Sequence, residues 1–192
     1  IPDEELRELR AATGNRYTVV KRLGSGGMAH VYLARHAVLG RPLVIKVLHR
    51  TLSQEPEMRE RFRREAEAAS RLVHPYICAI ADMGTSGELE FLAMPYYAGG
   101  SLADLLSRRK TVSAQTAASV AAQVAVALDY AHRHGVVHRD IKPDNILLDG
   151  IDGRALVTDF GIARAASSDS DDTARLTATG MAIGTPAYMS PE

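Results

Sequence analysis

Between Val136 and Leu148 the chain reads Val-Val-His-Arg-Asp-Ile-Lys-Pro-Asp-Asn-Ile-Leu-Leu, and no other stretch constrains the molecule as much. His138, Arg139, Asp140, Lys142 and Asn145 fall within eight residues, between an apolar pair and an apolar run. Apolar flanks bury the ends of such a segment and hold its polar middle rigid, where a solvated loop would leave it loose. A charged turn between a helix and a strand has little use for Asp, Lys and Asn at these offsets. Phosphoryl transfer does: a carboxylate orients the attacking hydroxyl, a cation meets the transferred phosphate, and an amide oxygen helps to hold Mg²⁺.

The bulk numbers exclude several other classes. A chain of 192 residues can build one sizeable core or two small lobes. It is 46% hydrophobic and 24% charged, as ordinary globular proteins are. Lys plus Arg and Asp plus Glu are 23 each, so no net field favours nucleic acid or an anionic membrane. Cys78 is the one cysteine, which excludes an internal disulfide and suggests a reducing cytoplasm. No run approaches about eighteen apolar residues, so no membrane span is expected in this segment. The chain starts at Ile1 without a signal peptide, as if cut from something longer. A parent protein could be membrane-anchored elsewhere.

In chain order, residues 2–12 read as a short amphipathic helix with Leu6 and Leu9 among charges, an extension ahead of the main fold. Tyr17–Leu23 and His30–Arg35 are β-rich runs joined by Gly24-Ser25-Gly26-Gly27-Met28-Ala29. Such a hairpin lets backbone N–H groups approach phosphate oxygens. Its place between two strands argues against a dinucleotide-binding strand–helix turn. Leu43–Leu48 is an apolar strand carrying Lys46, either an edge lysine or the partner of an anion. Residues 56–73 predict a helix with Phe62, Ala66, Ala69 and Val73 in one stripe. Glu65 lies beside that stripe and needs a cation, for which Lys46 is the candidate. Arg59, Arg61, Arg63 and Arg64 read as a solvated face. A strand through about Met83, carrying Cys78 as packing, a turn at Gly84–Gly87 and a strand over Leu89–Met94 follow. Ser101-Leu-Ala-Asp104 is a capping box, and Ser113 caps a long helix ending at His134-Gly135 with Val120, Val124 and Leu128 in its core face. Ala155–Thr158 predicts a short strand before Asp159-Phe160-Gly161.

The central stretch resembles the catalytic loop of protein kinases, His-Arg-Asp-x-x-x-x-Asn, and the Lys-Pro after the Asp resembles the serine/threonine branch. Other segments resemble the same family in its own order. The glycine hairpin matches Gly-x-Gly-x-x-Gly-x-Val with Ala29 for the third Gly, and Val-Ala-Ile-Lys reads Leu-Val-Ile-Lys. Asp159-Phe-Gly stands fourteen residues past Asn145, and Ser190-Pro-Glu192 stands for Ala-Pro-Glu. Gly-Gly-Met in the hairpin and Gly-Thr-Pro-Ala-Tyr-Met before Ser-Pro-Glu resemble the bacterial members.

This resemblance implies an α+β, bilobal protein-kinase-like fold. Residues 1–15 would be an N-terminal extension, 16–94 a β-rich N-lobe with one major helix, 95–100 a hinge, and 101–192 a partial helical C-lobe. It implies an ATP-dependent serine/threonine protein kinase with Mg²⁺ or Mn²⁺. Asp140, Lys142, Asn145, Lys46 and Glu65 would be catalytic, and Asn145 and Asp159 would hold the metal. Leu23, Gly24, Ser25, Gly26, Gly27, Val31, Val44, Lys46, Leu147 and Asp159 would bind ATP. Met94 would be the gatekeeper, with the Pro95 carbonyl and the Tyr97 N–H on the adenine. Arg139 would receive a phosphate placed on Thr177 or Thr179, and Thr185 would position the acceptor. The implied partners are protein substrates and a second kinase domain, without nucleic acid, in the cytoplasm. The rival is a nucleotide-binding scaffold of the same fold, which usually lacks a catalytic residue; none is missing here. A small-molecule phosphotransferase would not be expected to carry the Asp-Phe-Gly, a Thr-bearing segment and Ser-Pro-Glu. In the family the C-lobe continues past this Glu, so loosely packed C-lobe faces are expected.

Overall fold

The computed structural model of the chain describes residues 3–26, 28–150, 153–160 and 186–188. It divides into two compact units, Ile1–Arg71 with Cys78–Tyr96, and Leu72–Ile77 with Tyr97–Glu192.

The first unit is a five-stranded antiparallel sheet in the order β1-β2-β3-β5-β4. Its strands are β1 (Tyr17–Ser25), β2 (Ala29–His36), β3 (Pro42–Leu48), β4 (Asp82–Ser86) and β5 (Leu89–Pro95), with helices α1 (Asp3–Thr13), α2 (Arg50–Ser53) and α3 (Pro56–Ser70). Alternation along the strands gives the sheet two faces. Leu43, Ile45 and Val47 of β3 join Tyr32, Ala34, Leu89, Phe91 and Ala93 in one core, and Leu9 of α1 is buried with them. The N-terminal helix thus belongs to this core. Its Glu5 accepts a hydrogen bond from the Tyr32 hydroxyl (2.7 Å). The opposite face carries Val44 and Lys46, whose cross-strand partners on β5 are Met94 and Leu92.

Four expectations are corrected in this unit. Helix α3 ends at Ser70, and Val73 is 78% exposed while Leu72 is buried. The cause is that Leu72–Ile77 leaves for the second unit, where the Tyr76 carbonyl accepts from the Val157 N–H (2.9 Å) and Ile77 bridges Val157. No strand therefore forms between Ile77 and Asp82. Gly84 sits inside β4, the Phe91 ring occupying the place of a Cβ at 2.7 Å, and the turn comes at Gly87 with φ +59°. Arg59 and Arg63, read as solvated, instead bind the buried Glu90. Cys78 is buried, in keeping with its reading as a packing residue.

The second unit contains α4 (Leu102–Arg109), α5 (Ala114–Arg133) and the antiparallel pair β6 (Ile146–Asp149) and β7 (Arg154–Val157), with single 3₁₀ turns at Pro143–Asn145 and Pro186–Tyr188. The capping box forms: Ser101 Oγ accepts from the Asp104 N–H (3.1 Å) and Asp104 Oδ2 from the Ser101 N–H (2.8 Å). The Ser101 N–H, followed by the Ser101 hydroxyl, donates to the Asp104 carboxylate and holds it below its ordinary range. Ser113 caps α5 through the Thr116 N–H, and Gly135 at φ +75° ends it. Helix α5 buries Val120, Val124, Ala127 and Ala131 and packs on β7, where the Gln123 side chain accepts from the Ala155 N–H (2.8 Å). Gly99 and Gly100 tie the start of this unit to β6. A Cβ on Gly99 would run into the Leu148 carbonyl, and Gly100 accepts from the Leu148 N–H (2.9 Å). Among the described residues, no helix is long and apolar enough to cross a membrane.

Candidate active site

The Val136–Leu148 stretch lies entirely in the second unit. Helix α5 ends at Gly135, and the Val136 N–H bonds back to the Ala131 carbonyl (2.9 Å), which turns the chain out of the helix. Val137 was expected as a buried flank but is 50% exposed. The buried anchor is His138, 2% exposed. Its Nδ1 accepts from the Asp140 N–H (3.2 Å), which leaves Nε2 to donate to the Thr158 carbonyl (2.8 Å). The ring also packs on Phe160, centroids 4.8 Å apart. Burial holds this imidazole below its ordinary 6.5, against weaker opposing effects of the Thr158 hydrogen bond and nearby carboxylates. One neutral histidine thus joins the Asp140 loop to the Thr158–Phe160 segment.

Asp140 is built from both sides. Asn145 Nδ2 donates to its backbone oxygen (2.8 Å) and to its carboxylate Oδ2 (3.0 Å). Lys142 Nζ lies 2.8 Å from the same Oδ2. Oδ1 is used by neither. The 3₁₀ turn Pro143–Asn145 bends the chain so that Asn145 reaches back five residues, and the Thr158 N–H bonds to the Asn145 carbonyl (3.0 Å). Asn145 is 7% exposed, so its amide is held in one orientation. With Nδ2 committed to Asp140, its Oδ1 is the atom left to meet a cation.

Arg139 and Asp159 both have left-handed backbones, φ +67° and +66°. For residues other than glycine this costs roughly 1–2 kcal/mol each. Two of the four such residues among those described flank this loop and its partner segment, where strain places side chains that an extended backbone would not. Asp159 and the Asn145 amide oxygen are hard oxygen donors, the type that Mg²⁺ or Mn²⁺ takes. Mg²⁺ commonly uses only one or two carboxylates and completes its shell with phosphates and water. The donor set fits.

The protein kinase domain family matches residues 17–192. The chain belongs to the protein kinase family. It is 46% identical over 179 residues to the serine/threonine-protein kinase PknJ of Mycobacterium tuberculosis, covering 92% of this chain and 29% of that protein. It is 43% identical over 180 residues to the probable serine/threonine-protein kinase pknA2 of Bifidobacterium longum, covering 92% and 23%. The chain thus spans about a quarter of the length of such curated relatives. Among solved structures, the Mycobacterium tuberculosis PknI kinase domain matches with a TM-score of 0.66 at 38% identity, covering 77% of this chain and 60% of that one. The α+β kinase fold is therefore shown.

In the kinase unit bearing the sheet, Lys46 lies mid-strand on β3 between Val31 and Leu92, half-buried and on the face opposite the α1 core. Leu23, Gly24 and Ser25 end β1, and the hairpin closes through Gly26 N–H to the Ala29 carbonyl (2.9 Å). A Cβ at Gly24 would meet nothing within 4 Å, so packing within the unit does not demand that glycine. Met94 and Pro95 end β5, and Leu147 is on β6. Tyr97 opens the second unit, its carbonyl accepting from the Gly100 N–H (3.2 Å). Glu65 lies on α3, but its side chain, Gly27, Thr177, Thr179, Thr185 and Ser190–Glu192 lie outside the described residues. The sequence marks His138 only as a member of the loop and Gly99 only as part of the 95–100 hinge, and it gives Glu90 no role. The histidine was in view, but its depth was not. A lone Glu in a strand and one Gly of a pair carry no signal.

Proposed function

We propose that this chain is the catalytic part of a protein serine/threonine kinase, moving the γ-phosphoryl group of ATP to Ser or Thr hydroxyls. The observation that carries the proposal is the Asp140 carboxylate held through one oxygen by Lys142 and Asn145, with the other oxygen left by both. That carboxylate accepts the proton as the acceptor hydroxyl attacks, and Lys142 stabilises the charge on the phosphoryl oxygens in flight. Asn145 and Asp159 hold Mg²⁺ or Mn²⁺, which when bound neutralises phosphate charge. His138 keeps the two segments that bear these groups in fixed register.

In the sheet unit, Lys46 meets the α- and β-phosphates and pairs with Glu65, while the backbone of Gly24–Gly27 covers the phosphates. Leu23, Val31, Val44 and Met94 contact the adenine, with the Pro95 carbonyl as a hydrogen-bond partner. Thr185 positions the acceptor. Autophosphorylation of Thr177 or Thr179 adds about −1.5 to −2 charge, suited to Arg139, and raises activity. Protein substrates follow from the family of the relatives, and a kinase-domain pair phosphorylating in trans fits the same reading.

The test is ATP turnover by single variants. Asp140→Asn, Lys46→Met and Asp159→Ala should each lower kcat by about a thousandfold or more while the protein stays folded. A folded variant at near wild-type rate would remove that residue from the mechanism. Three such results would favour the nucleotide-binding scaffold.

A further inference from the structure

Glu90 is the one carboxylate among the described residues that the fold buries almost fully, at 2% exposure. Its Oε1 accepts from Arg59 Nε (3.1 Å) and Arg63 Nη2 (3.2 Å), both on α3. Arg59 Nη2 donates in addition to the Gly87 carbonyl at the β4–β5 turn (3.2 Å). Side chains alternate along a strand, so Glu90 shares a sheet face with Leu92 and Met94. Leu92 is the cross-strand partner of Lys46. The face to which α3 is tied is therefore the face that carries Lys46.

The helix also packs through Phe62 and Ala66, both buried. Contacts of that kind are non-directional and allow a helix to roll or slide. Arginines at i and i+4 lie on one side of a helix, and two guanidiniums on a single carboxylate oxygen permit one rotational setting. A buried ion pair adds little net stability over an apolar packing of equal size, but removing one partner leaves an uncompensated charge. The group is therefore better suited to choosing one arrangement than to strengthening the unit.

We propose that Glu90, with Arg59 and Arg63, is a latch that sets the rotational phase of α3 and thereby presents Glu65 to Lys46. This rests on the reading of Lys46 and Glu65 given above. Glu90 is a positioning residue: it acts through α3 and touches neither nucleotide nor acceptor.

The test is a double-mutant cycle on the protein at saturating ATP. Glu90→Gln should lower kcat about tenfold with KM for a protein acceptor unchanged. In a Glu65→Gln background, whose residual rate is the reference, adding Glu90→Gln should change kcat less than about twofold. A Glu90→Asp variant should recover part of the loss. Full kcat in folded Glu90→Gln, or losses that multiply with those of Glu65→Gln, would overturn the latch. If Glu90→Gln does not fold, the pair Arg59→Lys/Arg63→Lys keeps the charge, removes the forked geometry and is read by the same criteria. The two readings fail separately. An active Lys46→Met variant sinks the nucleotide assignment, whereas an inactive one beside a fully active Glu90→Gln sinks the latch alone.

Discussion

At position 138 the imidazole accepts from the Asp140 amide through Nδ1 and donates to the Thr158 carbonyl through Nε2, and both bonds require the neutral ring. Its folded value lies below 6.5, so the unfolded chain takes up a proton at a pH where the folded one does not. The stability this ring contributes is complete above the unfolded value of about 6.5 and is lost as pH falls below it. The melting temperature should therefore drop between about pH 7.5 and 5.5, and His138→Gln, which cannot titrate, should show a shallower drop from a lower start. Equal pH slopes in the two proteins would contradict this account of His138. The polar residues clustered between Val136 and Leu148 stood out because their chemistry is written in their types. The depth of His138 was not, since burial arises from Thr158 and Phe160, twenty and more residues away.

Helices and strands followed their sequence signals where local chemistry decides them. The capping box at Ser101–Asp104, the Ser113 cap and the Gly135 stop stand where the residues place them. The signals failed where a distant partner decides. Val73 fits the α3 stripe by spacing, yet the chain leaves the helix at Arg71 because Tyr76 and Ile77 pair with Val157. Arg59 and Arg63 look solvated until β5 brings Glu90 beneath them. Gly99 is the same kind of case. Its missing Cβ would come within 3.0 Å of the Leu148 carbonyl carbon, a backbone atom that β6 holds in place. Gly99→Ala should cost about 1–3 kcal/mol, seen as a lower denaturant midpoint, and should loosen the amides of Gly100–Ser101 and Leu147–Leu148 in hydrogen exchange. A variant with wild-type midpoint and protection would show that β6 yields easily there.

For the molecule as a whole, the chain covers about 60% of the PknI kinase-domain chain it resembles and about a quarter of its longer curated relatives. Identity above 40% over 92% of the chain places it among bacterial serine/threonine kinases in sequence. The 23 basic and 23 acidic residues of this chain balance, so its net charge lends no long-range steering toward a charged partner. The central claim is that Asp140 activates Ser and Thr hydroxyls of proteins, among them Thr177 or Thr179 of this chain. It is tested most directly by incubating the protein with ATP labelled at the γ-phosphate, with Asp140→Asn as control, then hydrolysing the product and mapping the label. The account predicts phosphothreonine and phosphoserine, with label at Thr177 or Thr179 in the wild type and none in Asp140→Asn. Label chiefly on tyrosine, or equal labelling of the two proteins, would contradict it.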